Sequence, residues 1–157
     1  MVSKRGSIQH VEVNVSDFER SKAFYQDFLE WLGYRRIVEG KDFAGWSNGE
    51  AMIFVTYLER YKDSGFHRRR VGLNHIAFKA KSKADVDKLH SALLVPRSIK
   101  VLYGGPKEYP EYGKGYYAVY FEDPDRIKLE FVHRIGPGRL KDKQEKPRPK
   151  VTLESSP

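Results

Sequence analysis

The sequence predicts an α+β fold made of two βαβββ modules whose sheets pair around a cleft. Residues 8–15 and 73–80 each alternate polar and apolar side chains, with the period of a half-buried strand. Each stretch contains one histidine and is followed by an amphipathic helix pattern and three further strand patterns. We interpret this as a diverged internal repeat, with modules at about residues 5–60 and 70–133 of a single domain spanning residues 1–133.

In the first module, the Ser16–Glu19 stretch has the pattern of a capping box and predicts the start of a helix. Apolar residues recur at helical spacing from Phe18 to Leu32, and Gly33 is a typical helix stop. Three short strands are then predicted, over residues 35–38, 43–47 and 51–58.

The second module follows a polar, basic connector over residues 61–70. Ser82–Asp85 is a weaker capping box, and the helix that it opens should end before Pro96. Strands are predicted over residues 99–103, 116–121 and 127–133, with a long turn-rich loop over residues 104–113.

Composition limits the class of protein. The chain has 157 residues, no cysteine and no apolar run long enough to cross a membrane. It begins without the pattern of a signal peptide, so we expect a cytoplasmic protein that does not bind membranes. Without thiolates, the available metal ligands are histidine and carboxylate.

The net charge of +8 is unevenly distributed. Residues 134–157 contain seven Lys/Arg and three Asp/Glu and are rich in proline, which predicts a basic, poorly ordered tail. Nucleic acid is not a favoured partner, because basic and aromatic residues are not interleaved as in an RNA-binding sheet.

Strand alternation places three potential ligands on equivalent faces. His10, His75 and Glu130 each lie opposite the apolar residues that should pack beneath the helices. If the sheets pair, the three side chains line one cleft and could bind one divalent ion, Fe²⁺, Mn²⁺, Zn²⁺ or Ni²⁺. The alternative for each histidine is a hydrogen-bonded structural role.

The chain resembles the vicinal oxygen chelate superfamily, which includes glyoxalase I, extradiol dioxygenases, fosfomycin-resistance thiol transferases and bleomycin-resistance proteins. The resemblance covers residues 5–133 and rests on the repeated module, the two strand histidines and the closing stretch Phe121–Glu130. It implies a glyoxalase-like fold and a metal ion chelated by two adjacent oxygens of the substrate.

This sequence departs from two members of that superfamily. Phe54 stands where glyoxalase I has a glutamate ligand, which leaves the three-ligand set of His10, His75 and Glu130. Arg126 replaces a usual glycine, and Glu111–Gly113 stands where an extradiol dioxygenase has a histidine. These departures argue against glyoxalase I itself and against a standard catechol dioxygenase.

We therefore predict a metal-dependent enzyme that acts on a small molecule by dioxygenase-like or lyase/isomerase chemistry. Glu12 and Tyr116 are candidate proton carriers, although Glu12 could instead pair with Lys79 or Lys128. Alternation leaves the direction of Tyr116 open. The alternative function is non-catalytic drug sequestration of the bleomycin-resistance type. The cleft could form within one chain or across a homodimer.

Overall fold

The structure is a computed structural model that describes residues 5–134. Apart from Arg134, the predicted tail over residues 134–157 lies outside the described residues. Within the described range, no helix is both long and apolar enough to cross a membrane.

The first module folds as one four-stranded sheet with a helix on one face. Its strand order is β1-β4-β3-β2, with β1 parallel to β4 and the other pairs antiparallel. The elements are β1 (His10–Val15), α1 (Phe18–Trp31), β2 (Arg35–Glu39), β3 (Phe43–Ser47) and β4 (Met52–Tyr57).

The second module repeats this topology with the order β5-β8-β7-β6, and β5 is parallel to β8. Its elements are β5 (His75–Lys79), α2 (Lys83–Leu89), β6 (Val101–Glu108), β7 (Tyr117–Glu122) and β8 (Lys128–His133), with a π-helical turn over His90–Leu94 after α2. The internal repeat and the α+β class are therefore confirmed. The connector over residues 61–70 also matches its prediction, since it contains no strand and follows directly on a 3₁₀ turn, Glu59–Tyr61.

The first helix starts one residue later than the capping-box pattern predicts. Asp17 is the N-cap, and its side chain accepts a hydrogen bond from the backbone N–H of Arg20 at 3.0 Å. Ser16 instead donates its backbone N–H and its hydroxyl to the carboxylate of Asp125 in the second module. Because Ser16 makes this contact between the modules, it does not act as the N-cap that its sequence pattern predicts.

The prediction of a loop over residues 104–113 is wrong in its first half. Strand β6 continues to Glu108 through a bulge between Leu102 and Lys107. Tyr103, Gly104 and Gly105 take positive φ angles of 59°, 83° and 101° there. Two consecutive glycines make such a bulge accessible, and the strand resumes after it.

The main apolar core lies between the helix-facing sides of the two sheets. The Phe28 ring on α1 contacts Phe78 of β5 and Phe121 of β7, with centroids 5.2 Å apart in both pairs. Trp31 at the end of α1 meets Phe131 of β8 at 5.7 Å. Because both sheets turn their apolar faces to this core, their opposite faces, which carry the predicted ligands, point away from it.

Candidate metal and substrate site

The second module brings two of the predicted ligands into contact. Strands β5 and β8 are parallel and pair Ala77 with Glu130, so His75 and Glu130 are diagonal neighbours on one face. His75 Nε2 lies 3.1 Å from Glu130 Oε2. The Glu130 side chain is only 1% exposed, so its negative charge sits beneath the cleft floor where an unpaired charge would be costly.

Asn74 fixes the orientation of the His75 ring. His75 Nδ1 is 2.7 Å from Asn74 Oδ1, which can only accept, so Nδ1 carries the proton. The lone pair of Nε2 then faces the carboxylate of Glu130. Two electron-pair donors 3.1 Å apart could bind the same metal ion.

Tyr116 holds the other oxygen of the same carboxylate. Its hydroxyl donates to Glu130 Oε1 at 2.5 Å, which settles the direction that alternation leaves open. Burial, reinforced by this hydrogen bond, raises the pKa of Tyr116 to about 12. Tyr116 is therefore protonated near neutral pH and can act as a donor.

A wall of tyrosines surrounds this pair in a cavity of about 550 Å³. The Tyr109 ring stacks on Tyr112 and meets the edges of Tyr116 and Tyr120. Burial and the neighbouring Glu130 carboxylate raise the pKa of Tyr120 well above its usual value. The Tyr109 hydroxyl is buried and has no hydrogen-bond partner among the described residues. A buried donor without a partner suits a site that a polar ligand fills.

The first module carries an equivalent cleft with a different residue beside its histidine. Glu12 pairs with Phe54 across β1 and β4, so Phe54 holds the register position that Glu130 has in the second module. The rings of His10 and Phe54 meet edge to face at 5.8 Å. Gly45 lies opposite Phe54, and a Cβ at Gly45 would fall 2.4 Å from the Phe54 ring. The absence of a side chain at Gly45 therefore leaves room for the Phe54 ring.

His10 is oriented by the same device as His75. Its Nδ1 bonds Oε1 of Gln9, the preceding residue, which leaves Nε2 with a lone pair. Glu12 accepts a hydrogen bond from Thr56 Oγ1 at 2.5 Å and forms no ion pair with Lys79 or Lys128 in the structure.

The structure thus places the predicted residues in two clefts of one chain. His75, Glu130 and Tyr116 lie in the second module's cleft, whereas His10 and Glu12 lie in the first module's cleft. Among residues 5–134, no three His, Asp or Glu side chains converge in a metal-binding group. Sequence reasoning did not identify Gln9 or Asn74, although an amide residue precedes each strand histidine and offers a signal for them.

Two βαβββ modules with a histidine on the first strand of each define a protein of the glyoxalase-like class. The family model described as Glyoxalase/Bleomycin resistance protein/Dioxygenase superfamily matches residues 7–131. The chain belongs to this superfamily.

Its relatives agree with the assignment. The chain is 39% identical over 132 residues to the uncharacterized protein YqjT of Bacillus subtilis strain 168, covering 80% of this chain and 97% of that protein. It is 32% identical over 126 residues to the metallothiol transferase FosB of Lysinibacillus sphaericus strain C3-41, covering 80% of each. A solved candidate glyoxalase from Bacillus halodurans superposes with a TM-score of 0.72 at 35% identity, covering 82% and 96% of the two chains.

Proposed function

We propose that the protein is a metal-dependent enzyme acting on a small molecule that binds the metal ion through adjacent oxygens. The observation that carries this proposal is the His75 Nε2–Glu130 Oε2 pair, 3.1 Å apart, with Nδ1 of the same ring held by Asn74. One imidazole nitrogen and one carboxylate oxygen at this separation would be able to hold a divalent ion together. The name of the FosB relative, a metallothiol transferase, supports a metal-dependent activity.

His75, Glu130 and, from a second copy of the chain, His10 would hold the ion. Two imidazoles and one carboxylate leave open positions for substrate, and a divalent ion there supplies Lewis-acid stabilisation of an oxyanion. Tyr116 keeps the Glu130 carboxylate in place through the hydrogen bond of its hydroxyl. The buried Tyr109 hydroxyl is available to donate to a substrate oxygen.

Protonated tyrosines around the cleft favour chemistry in which negative charge develops on a substrate oxygen. Burial raises the pKa of both Tyr109 and Tyr116 to about 12, so neither serves as a general base near neutral pH. Such donors stabilise an enolate or alkoxide as it forms. Lyase, isomerase or group-transfer chemistry uses them directly, which favours these reactions over a dioxygenase-like one.

We further propose that a homodimer completes the site. The two ligand-bearing faces of one chain point away from its shared core, so they cannot close on each other within that chain. Large apolar side chains remain exposed in both clefts, with Phe43 at 42% and Leu58 at 48% in the first and Tyr112 at 56% in the second. Apposition of the first cleft of one copy and the second cleft of another would cover them.

Metal analysis tests the function. Protein purified without chelator should contain close to one Mn, Fe, Ni or Zn ion per chain, and His75→Ala should remove it. His133→Ala is a matched control, because His133 lies on β8 outside both clefts. Wild-type protein that stays metal-free under varied metal supply, or full metal content in His75→Ala, would contradict the proposal and favour drug sequestration.

A further inference from the structure

A second cavity, which we call the basic pocket, adjoins the tyrosine-lined cleft. It encloses about 280 Å³. Four of its lining residues are arginine or lysine, and none is acidic. They are joined by one histidine, one amide and two aromatic residues: Arg68, Arg69, Arg126, Lys128, His67, Asn74, Phe66 and Tyr103.

The charge of this pocket is poorly compensated. A single carboxylate, Glu122, bonds Arg68 at 2.5 Å and lies 3.8 Å from Arg126. The same carboxylate also serves Lys100 at 3.4 Å, so three cations share one negative charge. Arg69 and Lys128 form no ion pair with any residue of the described range. Cations gathered in one pocket repel each other unless an anion joins them.

The backbone is strained at two residues that line the pocket. Three residues other than glycine have positive φ within the described range, and two of them are Tyr103 at 59° and Arg126 at 67°. Arg126 closes the turn before β8 by donating its N–H to Asp123 O at 3.0 Å. A side chain larger than hydrogen is unfavourable at such an angle, and retained strain of this kind is concentrated at functional sites.

The basic pocket shares part of its wall with the cleft that contains His75 and Glu130. Asn74, Tyr103 and Lys128 line both cavities. Lys128 Nζ lies 5.5 Å from the centroid of the Tyr120 ring, and that ring belongs to the cleft. A single small molecule can therefore reach the two cavities at once.

We propose that the basic pocket binds a phosphoryl group on the small molecule that the cleft holds by its other end. Arginine side chains match the oxygens of a phosphate in paired hydrogen bonds, and the lysine adds charge. A volume near 280 Å³ accommodates one such group. The substrate class is thus a phosphorylated compound with adjacent oxygens. The requirement for adjacent oxygens rests on the proposed function, whereas phosphate binding by the pocket does not.

Calorimetric titration of the chelator-treated protein with inorganic phosphate, at fixed ionic strength, tests the pocket itself. Arg69→Ala and Lys128→Gln should each weaken binding about tenfold or more, since each removes a charge-assisted contact. Arg70→Ala is the matched control, because it removes the same charge from the next residue of the same exposed connector without lining the pocket. Its affinity should remain near that of the wild type.

Absence of saturable phosphate binding, or equal weakening by Arg70→Ala and Arg69→Ala, would overturn the proposal. His75→Ala separates it from the proposed function, because this variant should lose metal and keep phosphate binding. If His75→Ala kept its metal while the phosphate results held, the proposed function would fail and the pocket would stand.

The link between the cavities is tested with 3-phosphoglycerate, which carries a phosphate and an adjacent hydroxyl and carboxylate. Manganese-loaded protein should bind it about tenfold more tightly than it binds phosphate, and His75→Ala should abolish the difference. Equal affinities for the two probes in the loaded wild type would show that the basic pocket acts alone and would overturn the proposed substrate class.

Discussion

At the scale of single residues, the two histidine strands share one local device and differ in one neighbour. The side-chain oxygens of Gln9 and Asn74 each accept a hydrogen bond from Nδ1 of the histidine that follows, so both imidazoles present Nε2 to their clefts. On the parallel neighbouring strand, the residue two positions after the histidine's partner is Phe54 in the first module and Glu130 in the second. The repeat thus preserves the orientation of the proposed nitrogen ligand, whereas only the second module adds a carboxylate beside it.

Asn74→Ala should lower metal affinity without abolishing binding. Loss of the acceptor for His75 Nδ1 leaves the ring free to rotate and to change tautomer, and such losses typically cost about 10–100-fold in affinity. Asn74→Asp keeps an acceptor and should retain most of the affinity. Competition against a fluorescent chelator measures both, and an unchanged affinity in Asn74→Ala would show that this hydrogen bond does not position the ligand.

Tyr116→Phe should destabilise the metal-free protein. The substitution removes the hydroxyl that donates to the buried Glu130 carboxylate, and a hydrogen bond to a charged group contributes about 1.5–3 kcal/mol. Tyr112→Phe is the control, because Tyr112 is exposed and its hydroxyl has no hydrogen bond among the described residues. Chemical denaturation in chelator compares them, and equal unfolding free energies would contradict the role given to Tyr116.

At the scale of elements, sequence patterns predict the strands and helices well where the signal is local. The alternation of Val11, Val13 and Val15 correctly assigns the inner face of β1, and Ser82 caps α2 as its motif predicts. The predictions fail where a tertiary contact decides, as when Asp125 takes Ser16 away from the helix cap. The bulge in β6 is missed because a Gly-Gly pair is equally typical of a loop.

The turn before β8 offers a test of backbone strain. Arg126→Gly should be more stable than Arg126→Ala by about 0.5–1 kcal/mol. Glycine adopts the positive φ angle without the strain that alanine has there, and this gain is partly offset by the greater conformational entropy of glycine in the unfolded chain. Both variants lose the same side chain, so thermal melts of the two isolate the backbone. An alanine variant as stable as the glycine variant would show that the turn relaxes.

The same turn links the two modules through a titrating carboxyl group. Asp123 accepts hydrogen bonds from the Tyr25 hydroxyl on α1 at 2.9 Å and from the N–H groups of Asp125 and Ile127. Burial outweighs these hydrogen bonds and raises the pKa of Asp123 to about 6.

Folding therefore favours the protonated form of Asp123. Its stabilising contribution is complete below the unfolded pKa of 3.8 and is lost as the pH rises through about 6. The free energy of unfolding of the wild type, relative to Asp123→Asn, should increase by up to about 3 kcal/mol between pH 7 and pH 4. Urea titrations of both proteins across this range measure the difference, and a gap that is constant with pH would contradict the assignment.

At the scale of the whole molecule, the sequence predicts which sheet faces carry the proposed ligands but not how the two clefts are arranged. Alternation assigns His10, His75 and Glu130 to ligand-bearing faces, and the structure has them lining clefts. The alternation pattern does not determine how the two sheets are arranged, because the packing of α1 against the second module depends on contacts between residues distant in sequence. Because of that packing, the two clefts of one chain face away from each other. This is why we propose that a second copy of the chain completes the metal site.

Mixing two variants that each fail to bind metal tests whether the metal site is formed by two chains. In a heterodimer of His10→Ala and His75→Ala, one site would combine the intact His10 of one chain with the intact His75 of the other, and the second site would lack both. Random pairing of equal amounts should restore metal to about a quarter of all sites, because half of the dimers are mixed and each has one intact site. Neither variant alone should bind metal.

Co-refolding the two variants, followed by gel filtration and metal analysis, measures this recovery. A mixture of His75→Ala with Glu130→Gln is the matched control, because both changes fall in the same half-site and their heterodimer has no intact site. A site built within one chain predicts no recovery in either mixture, since each chain then carries its own damaged ligand set. Recovery in the first mixture alone therefore requires ligands from two chains, and its absence would return His10 to a structural role beside Phe54.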